Sequence, residues 1–156
     1  MSADLALFAP LLEAPRFREL EHRVRGGGGS VALEGLVGGA GALVLTLLAE
    51  TTGRRVLIVV PDDAALESRH RDLAVFATIV GRDPRRVVVM PAMDADPYNA
   101  IPAHPEIVRE RVVALGRLAR GEADFLIAPA RALLSRLPSP EELRERTRAV
   151  RKGDAL

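Results

Sequence analysis

The chain has 156 residues, the length of one ordinary domain with room for a single hydrophobic core. Its 22 basic and 21 acidic side chains leave a net charge of +1, which removes any whole-molecule electrostatic case for binding nucleic acid or acidic lipid. The absence of cysteine excludes a disulfide framework and a thiolate metal site, and although 48% of the residues are apolar, no run is long enough to span a membrane.

The opening MSADLALFAPLLEAP lacks the basic start and unbroken apolar core of a secretion signal, since Asp4, Pro10 and Glu13 interrupt it; a cytoplasmic location is expected. RFRELEHRVR predicts a helix, and the GGGGS run at 26–30 reads as a flexible linker, so the ordered domain is expected to begin near Ser30. SVALEGL predicts a short strand ending at a glycine loop, and ALVLTLLAETTG predicts a mostly buried helix stopped near Gly53. RRVLIVVP is a continuous β-branched run bounded by Arg55 and Pro61, the pattern of a central strand covered on both faces. Asp62 and Asp63 are placed to cap the next helix, in which Leu66, Leu73, Phe76 and Val80 recur at helical spacing and which Gly81 closes.

RRVVVMP repeats the buried-strand pattern, and AMDADPYNAIPAH is too rich in proline for regular structure. His104, Pro105 and Glu106 form a helix start, with Ile107, Val108, Val112, Leu115 and Leu118 as an apolar stripe up to Gly121. DFLIAPA predicts a fourth strand, RALLSRL a short helix, Ser139 and Pro140 the cap of another, and TRAVRKGD an extended segment. Alternating strands and helices of this kind predict an α/β fold: a three-layer parallel sheet of about four strands with helices on both faces, its site at the C-terminal strand ends.

GLVGGAGAL sits where a nucleotide-binding enzyme carries its phosphate loop. A working loop, G-x-x-x-x-G-K-[ST], cradles phosphates on backbone N–H groups, while its lysine reaches the β- and γ-phosphates and its hydroxyl holds magnesium. With Gly35 as the first glycine, the second falls on Ala40, the lysine on Gly41 and the hydroxyl on Ala42; the chain's one lysine is Lys152. Gly35, Gly38, Gly39, Ala40, Gly41 and Ala42 therefore form a degenerate phosphate loop that is not expected to bind nucleotide, because helix dipoles alone contribute only about 0.3 to 1 kcal/mol per charge. The Rossmann fingerprint G-x-G-x-x-G fits no frame here either.

In the loop after the third predicted strand, Asp94, Asp96, Tyr98 and His104 include two carboxylates and an imidazole, a set able to hold a divalent ion. The preferred reading is structural, with the aspartates in turns beside their prolines and His104 capping the following helix. No catalytic residue, metal site or cofactor is expected. Arg109 and Arg111 on that helix could face a phosphate backbone, but interleaved glutamates make a solvated face the preferred expectation.

GLVGGAGAL, VLIVVPDDAALESRHRDL, PAMDADPYNAIPAHPEIVRERVVALGRL and LIAPARALLSRLPSPEEL together resemble the N-terminal UvrB-like module of bacterial transcription-repair coupling factors (Mfd). The most specific piece is DPYNAIPAHPEIVRERVVAL, with Asp96, Pro97, Tyr98, His104, Pro105 and Arg111 as its marker residues. The resemblance implies a P-loop NTPase-like subdomain whose loop has lost its lysine and hydroxyl. It belongs to a multidomain ATP-dependent DNA translocase that releases stalled RNA polymerase and recruits UvrA for nucleotide excision repair. On that basis the expected layout is an N-terminal helix and linker over 1–29, the degenerate subdomain over 30–146, and the start of a truncated second subdomain over 147–156. The chain would then be a non-catalytic, monomeric scaffold whose parent meets UvrA, RNA polymerase and double-stranded DNA mostly through other regions. The alternative is a stand-alone α/β nucleotide- or metabolite-binding protein, or a hydrolase using the Asp94 to His104 loop.

Overall fold

The computed structural model describes residues 3–95 and 102–146. Two short helices, α1 (Ala3–Ala6) and α2 (Ala9–Glu13), precede α3 (Pro15–Gly26). Then follow α4 (Ala40–Thr52), β1 (Val56–Val60), α5 (Asp63–Ile79), a 3-10 turn at Pro84–Arg86 and β2 (Val87–Val89). The chain continues through α6 (Pro105–Ala119), β3 (Phe125–Pro129), α7 (Ala130–Leu133) and α8 (Pro140–Arg146). All strand pairings are parallel and the order is β1-β3-β2, so each helical connection is a crossover and β3 is central.

Side-chain alternation on the strands divides the core into two layers. Val87, Phe125 and Ile127 join Val60 on one face, under Ala42 and Ala49 of α4 and Leu66, Leu73 and Ala77 of α5. Val88 and Ala128 point the other way, into a layer with Met90, Ala114 of α6 and Ala132 of α7. The N-terminal helices add a third cluster, in which Leu5 and Phe17 pack with Leu47 and Leu48 on the outer side of α4. This α/β arrangement, with helices on both faces of a parallel sheet, is the expected fold class.

Two expectations are corrected. The SVALEGL segment forms no strand: residues 30–36 carry no regular structure and are exposed, which leaves three strands among the described residues. RRVLIVVP is not the central strand either. β1 lies at the edge, and while Val56, Ile58 and Val60 face the α4–α5 layer, Leu57 and Val59 on its other side are 55% and 54% exposed. A continuous apolar run records that both faces are apolar, not that both are covered.

Helix ends follow the local chemistry closely. Asp62 Oδ1 accepts the Ala65 N–H at 2.8 Å to cap α5. Ser139 and Glu142 form a reciprocal capping box at α8: the Glu142 N–H donates to Ser139 Oγ (3.2 Å) and the Ser139 N–H to Glu142 Oε2 (2.7 Å). α4 ends at Gly53, whose left-handed backbone (φ 68°) suits a residue without Cβ.

Candidate functional site

The strand C-terminal ends and the start of α4 are where an α/β fold of this type places chemistry. Gly35 and Gly38 have positive φ (77° and 58°), and Gly39 caps α4 with no side-chain hydrogen bond. The turn closes through the Ala40 N–H to the Val37 carbonyl at 3.2 Å and the Leu43 N–H to the Gly39 carbonyl at 3.0 Å. A glycine turn therefore does enter a helix here, but no strand leads into it.

What lies against that first turn is the protein's own α5. A Cβ at Gly39 would stand 3.2 Å from the Phe76 ring and 4.0 Å from the Asp72 carboxyl carbon, and one at Gly41 would stand 3.1 Å from Arg69 Nη1. These glycines allow close helix–helix approach, and a ring and a guanidinium occupy the space that their missing side chains leave. Ala42, in the hydroxyl position, is fully buried in the α4–α5 core. Arg69 Nη1 is buried without a hydrogen-bond partner among the described residues. It is a cation beside the positive end of a helix dipole, an unfavourable placement.

At the second candidate region, Asp96, Pro97 and Tyr98 lie outside the described residues. His104 is the N-cap of α6: its Nδ1 accepts the Glu106 N–H at 3.3 Å, and its own N–H donates to Asp94 Oδ1 at 2.9 Å. Pro105 follows at the first helical position, where its missing N–H costs nothing. Asp94 and His104 thus meet through the backbone, as parts of a turn and a cap. Among the described residues no group of three or more acidic, histidine or cysteine side chains is placed to hold a metal ion.

Arg109 and Arg111 part company. Arg109 is exposed and bonds Glu106, whose carboxyl this hydrogen bond and charge hold below the ordinary carboxylate range. Arg111 does not lie on the solvated face expected of it: it is 7% exposed, and its Nη1 donates to the Pro91 carbonyl at 2.5 Å and Nη2 to the Ala132 carbonyl at 3.4 Å. Burial lowers its pKa from the usual arginine value, but a guanidinium remains charged in proteins. Sequence reasoning missed this role because an arginine among glutamates gives no sign of turning inward. Arg111 ties the segment after β2 to the segment after β3, fixing the C-terminal rim of the sheet.

An ion-pair network joins the opposite rim. Arg82 bonds Glu50 of α4 and, at 2.8 Å, Asp124 at the foot of β3, while Arg86 reaches the other Asp124 oxygen at 2.9 Å. Burial alone would raise the Asp124 pKa, but hydrogen bonds and charge from Arg86 and Arg82 outweigh it and leave the carboxyl below its ordinary 3.8.

Among the described residues no helix is long and apolar enough to cross a membrane. No family model matches this chain, and no solved structure does. The chain is similar to the transcription-repair-coupling factor of Haemophilus influenzae, with 26% identity over 118 residues, and that likeness takes in 76% of this chain and 10% of the relative's length. Identity at that level supports a relation to coupling factors, and to a small part of one.

Proposed function

We propose that the chain is a non-catalytic scaffold module of a transcription-repair coupling factor, a part of a larger translocase that carries its ATP site and motor elsewhere. The observation that carries this proposal is the start of α4, where Arg69 packs against Gly41, at the position a phosphate loop gives to lysine, and Phe76 packs against Gly39. The turn supplies neither the lysine that reaches the β- and γ-phosphates nor the hydroxyl that holds magnesium, and the cation beside it, Arg69, comes from α5 and packs against Gly41. The likeness to the Haemophilus influenzae coupling factor supports the same assignment.

In this proposal UvrA, RNA polymerase and double-stranded DNA are partners of the parent protein, which works in the cytoplasm, and the UvrA surface belongs to the subdomain that follows this one. The chain alone therefore does not bind UvrA. Calorimetric titration of UvrA into this chain, with the full-length Haemophilus influenzae factor as the positive control, tests that placement. Heat from the full-length factor and none from the chain is the expected result. Comparable affinity for both would put the UvrA surface within this 156-residue chain and overturn the placement.

A further inference from the structure

We draw no further inference here: the strongest candidate, the uncovered apolar face of β1 at Leu57 and Val59 beside the cleft that Arg55 lines with Leu137 and Leu143, carries nothing because nothing in the structure shows what covers it.

Discussion

Gly39 and Gly41 stand two positions apart on the same helix start, yet substitution to alanine is expected to act in opposite directions. At Gly41 a methyl group meets Arg69 Nη1, the far end of a flexible side chain with no hydrogen bond to lose among the described residues, and alanine is the better helix former. Gly41→Ala is therefore expected to stabilise the fold by about 0.5 to 1 kcal/mol as Arg69 swings outward. At Gly39 the methyl meets the Phe76 ring, whose edge packs against the α4–α5 core, and alanine is a poor N-cap. Gly39→Ala is expected to cost about 1 kcal/mol or more. Urea midpoints at unchanged m-value give both numbers; a loss at Gly41 would mean that Arg69 is held in place. The missing lysine was legible in the sequence, because it is a fact about one position. The packing of Phe76 and Arg69 was not, because periodicity shows which face of α5 is apolar but not which residue meets a glycine on another helix.

At the scale of elements, what was legible follows local rules. Asp62 before α5, His104 and Pro105 before α6, Ser139 before α8 and Gly53 after α4 are all set by hydrogen bonding or backbone conformation within a few residues. What failed depended on neighbours distant in sequence. SVALEGL alternates like a strand, but a strand needs a partner edge and none is formed with it among the described residues. The edge position of β1 gives a direct prediction. Leu57→Thr, on the uncovered face, is expected to change stability by less than about 0.5 kcal/mol, whereas truncating a buried core leucine costs roughly 2 to 5 kcal/mol. Thermal or urea unfolding separates the two; a loss in the larger range would mean that the face is covered in solution.

The ion pairs at the lower rim tie three elements together, and their pH dependence can be signed. The folded-state pKa of Asp124 is lowered, so its stabilisation is fully present above the unfolded value near 3.8 and is lost as the pH falls toward the folded one. Asp124→Asn is expected to cost about 1.5 to 3 kcal/mol at pH 7, the range for hydrogen bonds to charged groups. The gap between wild type and variant should close below pH 4 (about the carboxylate range). Urea midpoints measured across that interval check this, and a gap that persists unchanged in acid would mean that the carboxylate charge contributes nothing.

For the whole molecule, three hydrophobic clusters hold the helices to the parallel sheet and to one another in an α/β body whose helix connections follow from parallel pairing. The glycine turn at the start of α4 is the feature on which the functional account rests, because a nucleotide enzyme and a scaffold need opposite things there. A thermal melt of the chain with millimolar Mg-ATP, and with sulfate as the anion control, tests this most directly. Saturating nucleotide at about a hundred times its dissociation constant would add about 2.7 kcal/mol, a rise of roughly 5 to 11 °C for a chain of this size. The account predicts no magnesium-dependent shift. A rise in that range with Mg-ATP and not with sulfate would show that the start of α4 holds nucleotide and would contradict it.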